Sequence, residues 1–436
     1  MQHKTLICID FGSAYTKVAV RAGWDGDAEL TRDTPLAADD TTFCIPSVVA
    51  KVERKGSTKW IVGQAATQQR VGDGVTLYEH FKAKLLSDQS SKHDIDVHRE
   101  IGVVFFKELR AALEKLSLPA QVEDCPIRLC IPRLEHNGRT EERMMEMLSE
   151  AGWSLASRAT IFEPESNAIG VFTRGQNATH FPSRKGLQSR DRHPYFLKMF
   201  DRNGLLRAIR NVNVTHYGAL VVDIGAFTTD FGYVQFDATL ERAPEIVQLS
   251  SEVGVRQLDE MVRGQMPAEV RNALKYVPTR FWETAKRLLY NGGEAAVPNP
   301  KGGMLEIGKG NEATAIVLAM HQFADRIVQA EQQFRRNHVN GSVDAYVLTG
   351  GGALIPTLRH VLVRAAKKSG IRLIYDLQDE NEPKQVLLQK RDESGWYYDP
   401  KELESRLVHN RELMRGGSAI GGCSVFFESS PIAGMA

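Results

Sequence analysis

Two stretches of this chain carry one pattern: an apolar run, an acid, a glycine, hydroxyls, then a second apolar run. The first is Leu6-Ile-Cys-Ile-Asp10-Phe-Gly12-Ser13-Ala14-Tyr15-Thr-Lys-Val-Ala-Val20. The second is Ala219-Leu-Val-Val-Asp223-Ile-Gly225-Ala226-Phe227-Thr228-Thr229-Asp230-Phe-Gly-Tyr-Val234. Apolar runs that meet at a tight turn of small residues predict a β-hairpin. A single Asp-x-Gly at a strand end is ordinary turn chemistry. Two of them, about half a chain apart, predict two similar halves facing each other across a cleft.

The same reading places the other elements. Residues 23–42 are polar and read as loop, 44–50 as a strand, and 60–63 and 65–66 as the starts of a further element and a helix. The segment 78–86 holds Phe81, Lys82, Lys84 and Leu85. Residues 101–116 have helical spacing, with Val104, Phe105, Leu109, Ala112 and Leu113 on one side. Residues 127–132 alternate as a strand, 139–151 follow as a helix, and Gly152 is placed to end it. A short strand at 159–162 leads through Glu163-Pro164-Glu165 into a small-residue helix at 166–172. Strand–helix–strand order predicts right-handed crossovers and a partly parallel sheet.

Beyond the second hairpin, 254–262, 279–289 and 313–336 read as helices. The middle one has an apolar stripe of Trp282, Ala285, Leu288 and Leu289. Residues 345–349 form a buried strand, which Gly350-Gly351-Gly352 turns into another helix. A small-residue helix at 414–426 follows later. Two segments break the pattern. Residues 173–217 carry nine Arg and Lys from Arg174 to Arg210 against Asp191 and Asp201, and read as a basic, solvated insertion. Docking of an acidic partner or nucleic acid there is the sharper alternative. Residues 378–403, polar and charged, read as a second insertion.

A length of 436 residues favours two or more core-bearing lobes. A net charge of +1 gives no global attraction to nucleic acid or membrane. The five cysteines include no C-x-x-C pair, which favours buried thiols in a reducing compartment. Asp10 interrupts the first apolar run, so no signal peptide is read there. No apolar stretch reaches the roughly 20 residues of a membrane span. These features predict a cytoplasmic protein.

The turns also suggest chemistry. Small residues let backbone N–H groups converge on one anion, which binds phosphate without a lysine. An acid beside such a turn repels bare phosphate unless a divalent cation lies between them. Asp10, Asp223 and Asp230 suit Mg²⁺ held partly through water and phosphate oxygens. Phosphoryl transfer is then mostly positioning and charge neutralisation. The turn at Gly350 adds to a nucleotide reading. The near-match to a P-loop at 303–310 is rejected, because Gly310 stands where Ser or Thr would hold the metal.

In this order, and across nearly the whole chain, these motifs resemble the actin/sugar-kinase/Hsp70 ATPase superfamily, and within it the Hsp70 nucleotide-binding domain. The resemblance rests on the two turns, on Ile45-Pro-Ser-Val-Val-Ala50, Val62-Gly63-Gln-Ala-Ala66 and Phe162-Glu163-Pro164-Glu165, and on Gly254-Val-Arg-Gln-Leu-Asp259. Glu283-Thr-Ala-Lys286-Arg287, Leu348-Thr-Gly350-Gly351-Gly352 and the closing helix near Gly416 complete it. It implies an α/β, two-lobed actin-like ATPase fold: duplicated ribonuclease-H-like mixed sheets with flanking helices around a central nucleotide cleft. Lobe I would span 1–173, with a small subdomain inserted at about 37–124, and the basic insertion 174–217. Lobe II would span 218–436, with a small subdomain at about 252–312 and a closing helix at about 411–427 returning to lobe I.

The resemblance further implies ATP or ADP with Mg²⁺. Backbone at Gly12, Ser13, Ala14 and Tyr15, with Gly225 and Ala226, would hold the phosphates. Asp10 and Asp223 would hold the hydrated metal, and Glu163, Thr228 and Asp230 would orient the attacking water or the γ-phosphate. Glu283, Lys286 and Arg287 would line the adenosine side, with Gly350, Gly351 and Gly352 opposite. The catalytic lysine is Lys82 or Lys84.

Departures from the family pattern set further expectations. Ala226 and Phe227 replace two of three glycines, which is costly if either needs φ > 0. Phe227 would crowd the γ-phosphate, so hydrolysis is expected to be slow. Tyr290 replaces a ribose-side serine, and Leu354 an adenine-stacking arginine. No peptide-binding β-sandwich follows, so a full chaperone cycle within this chain is not expected. The expected function is a slow Mg-dependent ATPase acting as a nucleotide-driven switch for a partner protein. The alternatives are an actin-like filament former, a small-molecule kinase and a nucleotide-binding scaffold without turnover.

Overall fold

Both hairpins form, and each sits at the centre of a five-strand path built in the same way. In the computed structural model, strands are numbered in chain order. β1 (Leu6–Phe11) pairs antiparallel with β2 (Tyr15–Arg21), which pairs with β3 (Ala28–Leu30) and the short β4 (Ile45–Pro46). On its other side β1 runs parallel to β8 (Ile127–Ile131), and β8 to β9 (Leu155–Phe162). The second sheet has β10 (His216–Ile224) antiparallel to β11 (Thr229–Asp237), and β11 to β12 (Glu245–Ser251). β10 then runs parallel to β15 (Ala345–Thr349), and β15 to β16 (Leu373–Asp376). The orders β3-β2-β1-β8-β9 and β12-β11-β10-β15-β16 are one plan used twice. The chain is therefore α/β with mixed sheets. Only the two central hairpins of this repeat are visible in the sequence.

Smaller pieces fill in the rest. β5 (Val48–Arg54), β6 (Ser57–Val62) and β7 (Val75–Glu79) form a three-stranded sheet. β13 (Ala295–Pro298) with β14 (Met304–Ile307), and β17 (Lys390–Asp392) with β18 (Gly395–Tyr397), form hairpins. The helices are α1 (Gln64–Thr67), α2 (Phe81–Leu86), α3 (Lys92–Leu113), α4 (Thr140–Glu150) and α5 (Glu163–Thr173). They continue as α6 (Val255–Gln265), α7 (Ala268–Leu274), α8 (Thr279–Tyr290), α9 (Asn311–His338), α10 (Pro356–Lys368) and α11 (Pro400–Gly422). The structure describes residues 5–23, 26–39, 41–72, 74–86, 90–134, 139–173, 216–237, 245–277, 279–371, 373–376, 390–392, 395–397, 400–424 and 427. The basic stretch at 174–215, with its proposed docking role, lies outside them.

Local chemistry explains the boundaries. α4 ends as expected at Gly152, where Gly152 N–H donates to Ser149 O at 3.0 Å and Trp153 N–H to Leu148 O at 3.1 Å. α3 starts earlier than apolar periodicity predicts, because Ser91 caps it by accepting from Asp94 N–H at 3.1 Å. In α8, Leu288 is half exposed while Tyr290 is buried, so the apolar stripe is rotated from the predicted one. The predicted second insertion contains β17, β18 and the first turn of α11. Pro400 opens that helix, a position where its fixed φ and missing N–H are tolerated.

β1 is buried along its whole length, as a central strand covered on both faces must be. One face packs Ile7, Ile9 and Phe11 against Phe105, Phe106 and Met144. The other packs Cys8, with Cys130 of β8, against the α5–α11 pair, whose Ile169, Ala419 and Cys423 continue into the core of the second sheet. α5 and α11 thus join the two sheets. They cross closely: a Cβ at Gly421 would overlap Ser166 O, and one at Gly170 would overlap Gly417 O. All five cysteines are buried free thiols. No helix among the described residues is long and apolar enough to cross a membrane.

Candidate functional site

The two hairpin turns, α2, the start of α5, α8, the Gly350 turn and α11 converge on one cavity of about 380 Å³. Apart from Lys84, every candidate from the sequence lines it: Asp10, Gly12, Ser13, Ala14, Tyr15, Lys82, Glu163, Asp223, Gly225, Ala226, Thr228, Asp230, Glu283, Lys286, Arg287, Gly350, Gly351 and Gly352. The lysine alternative resolves by position. Lys82 is buried and faces the cavity, whereas Lys84 is exposed on α2.

Each turn is held from behind. In the first, Gly12 N–H donates to Asp10 O at 3.0 Å. Ser47 donates its hydroxyl to Gly12 O at 2.6 Å and its N–H to Ala14 O at 2.9 Å. In the second, Gly225 N–H donates to Thr228 O at 2.8 Å. The carbonyls of Gly225 and Ala226 accept from Val255 N–H at 3.0 Å and Arg256 N–H at 2.9 Å, at the start of α6. Ala226 and Phe227 are not strained. Among the described non-glycine residues only Asp33, Lys55 and His80 have positive φ. The expected backbone cost is therefore absent. Phe227 does line the cavity, and it packs against the core of the first sheet. Gly350, at φ 89°, takes a conformation that favours glycine, and a Cβ there would also run into Asp223.

The polar groups form a charged floor. Lys17 Nζ pairs with Asp10 Oδ2 at 3.0 Å, and Lys82 Nζ with Glu163 Oε1. Burial pushes the Asp223 carboxyl up to about 7; Lys17 opposes this, and Asp10 and Glu163 add to it. Burial raises Asp230 well above the carboxylate range, with Glu163 and Asp223 adding to it. Burial also raises Glu163, against the pull of Lys82. Desolvation would lower the Lys17 ammonium, but Asp10, with Cys44 and Asp223 adding to it, more than offsets this and Lys17 stays charged. On the far side, Lys286 Nζ meets Glu283 at 2.6 Å and Asp259 at 3.2 Å. Tyr290 donates to Asp259 at 2.5 Å. Leu354 lines the wall nearby.

Buried polar atoms without partners test what this floor can hold. Ser13 Oγ and Asp230 Oδ1 have none. Crowded carboxylates with raised pKa and orphaned oxygens fit a hydrated divalent cation with an anionic ligand. Among the described residues, no group of three or more His, Cys, Asp or Glu could cage a metal alone. A metal bound through one or two carboxylates, water and a phosphate-bearing ligand needs no such cage.

Several cavity groups escaped the sequence reading. Lys17 had a usable signal, since hairpin pairing puts it directly across from Asp10. Behind the lining, Asn167, one helical turn after Glu163, reaches Asp223 from α5. Cys44, Arg415 and Ser418 come from β4's approach and α11, and only the tertiary fold brings them here. Compared with known proteins, the chain matches no family model and no curated protein.

Proposed function

We propose that this chain is a Mg²⁺-dependent ATP-binding protein with two actin-like lobes, resembling the actin/sugar-kinase/Hsp70 superfamily, and a slow ATPase that acts as a nucleotide-driven switch for a partner protein. One observation carries the reading. Two sheets of the same strand order each deliver an acid–glycine turn into one cavity. A cavity of about 380 Å³ falls within the usual range for small-molecule sites.

In this reading the two turns offer backbone N–H groups, and Ser13 its unpartnered hydroxyl, to phosphate oxygens. Asp10 and Asp223 would hold Mg²⁺, which when bound neutralises phosphate charge and polarises the phosphoryl group. Glu163, whose carboxyl burial raises above its ordinary value, is suited to accept a proton from the attacking water. Lys82 orients Glu163 through their ion pair, and Thr228 bonds Asp230 at 3.3 Å on the opposite turn. Glu283, Lys286 and Tyr290 would meet the nucleoside, with Gly350 to Gly352 opposite.

Phosphate release tests the claim. Wild type should release phosphate from Mg-ATP slowly, and Glu163→Gln should lose about 100-fold, the lower end for a general base. Asp10→Asn should lose activity together with its Mg²⁺ dependence. Equal rates in all three proteins would refute the ATPase claim. Phe227 in the cavity favours one second reading, a scaffold that binds nucleotide without turnover. Undisturbed nucleotide binding with no release above background would select it.

A further inference from the structure

Asn167 lies one turn after Glu163 on α5 and is 1% exposed. Its Nδ2 donates to Asp223 Oδ2. The reverse amide orientation would set two acceptors against each other, so the bond fixes which end faces the carboxylate. Among the described residues no other side chain donates to Asp223. The amide's other end is unusual, because Oδ1 is buried without a partner. A buried acceptor is normally satisfied. Here it rests against α11, where a Cβ at Gly417 would come within 2.6 Å of it.

α11 reaches the same cavity in two more places. Met414 O accepts from Gly350 N–H at 2.7 Å and from the Thr349 hydroxyl at 3.1 Å. Ser418 bonds Glu163 O at 3.4 Å. The α5–α11 crossing is close-packed through Gly170, Gly417 and Gly421, so a shift between the helices must move something. Asn167 is the side chain caught between that crossing and Asp223.

We propose that Asn167 is a positioning residue: its amide holds the Asp223 carboxylate in place for the metal–nucleotide complex, and its packing on Gly417 passes shifts of α11 against α5 to that carboxylate. This rests on the reading of the cavity as a Mg-nucleotide site. Groups that orient a metal ligand without touching the metal commonly matter nearly as much as the ligand.

The test is ADP binding by calorimetry on the whole chain at stepped Mg²⁺ concentrations. In wild type, Mg²⁺ should strengthen ADP binding. In Asn167→Ala the Mg²⁺ requirement should rise about 10-fold, while metal-free ADP affinity stays within about twofold. Asn167→Asp keeps the shape but replaces the donor with a like charge, and should lose at least as much. Gly417→Ala, at a position that does not itself line the cavity, should raise the Mg²⁺ requirement about threefold. Gly264→Ala, on α6 with nothing within 4 Å of the added methyl, should change nothing. Wild-type Mg²⁺ dependence in both Asn167 variants overturns the positioning role. Wild-type behaviour in Gly417→Ala alone overturns the relay. If wild type itself binds no ADP, the nucleotide reading fails and takes this inference with it.

Discussion

Asp223 makes the site's demands measurable at a single residue. Burial holds its carboxyl near 7, against about 4 in an unfolded chain. Between those values the folded protein binds more protons than the unfolded one, so this residue's contribution to stability falls as pH rises through the window. Glu163 and Asp230 are raised as well and act in the same direction. His80, lowered by burial and then by Arg256, opposes them only below about pH 6.5. Without nucleotide, the melting temperature should therefore fall as pH rises from about 5 to 7, where the three raised carboxyls act against the one lowered imidazole. Asp223→Asn should flatten that fall and stabilise the protein at the upper end by about 1–3 kcal/mol, while abolishing Mg²⁺-dependent ADP binding. A wild-type melting temperature that rises across this range contradicts the argument. Asp10, Asp223 and Gly350 were legible in the sequence because turn chemistry is local. Arg415 was not, because nothing near it in the chain announces a cavity. Lys17 lay between: its role follows once the hairpin register is drawn.

At the scale of elements, α11 shows where local reading fails. Its small-residue end is recognisable, but its first turns are charged and resemble a solvated loop until Pro400 is taken as a helix start. What holds its other end is also invisible locally. Arg128 of β8 is 1% exposed and donates from Nη1 to Gly422 O and Ser424 O, each at 3.0 Å, across sequence separations of 294 and 296 residues. A guanidinium there satisfies carbonyls that the helix end cannot, and it complements the helix dipole. Arg128→Ala would leave those buried acceptors without this donor and open a void, which should destabilise the chain by about 3 kcal/mol. Hydrogen exchange should then quicken in the last turns of α11 before it does in α9, the long helix that buries Ile316, Met320, Phe323, Ile327 and Phe334. Unchanged exchange in α11 would mean that its packing on α5 suffices.

For the whole molecule, the consequence of the repeated sheet is that neither half owns the site. Asp10 and Gly12 come from one hairpin, Asp223 and Gly225 from the other, and α8 and the Gly350 turn follow the second in the chain. The sequence shows this duplication only at the hairpins, because flanking strands such as β9 and β16 share a place in the topology rather than a motif. A ligand held by both sheets stabilises every contact between them, since it binds the folded state alone. Mg-ADP at about 100 times its dissociation constant should add about 2.7 kcal/mol to unfolding. It should also slow hydrogen exchange at the β1–β2 and β10–β11 turns and in α8 together. A ligand that settles in one half would protect one hairpin and leave the other at its ligand-free rate. Joint protection is what a cleft switch requires, because only a ligand that engages both faces can report its own state as their relative position. Protection confined to one sheet would remove the basis for a switch even if nucleotide binds tightly.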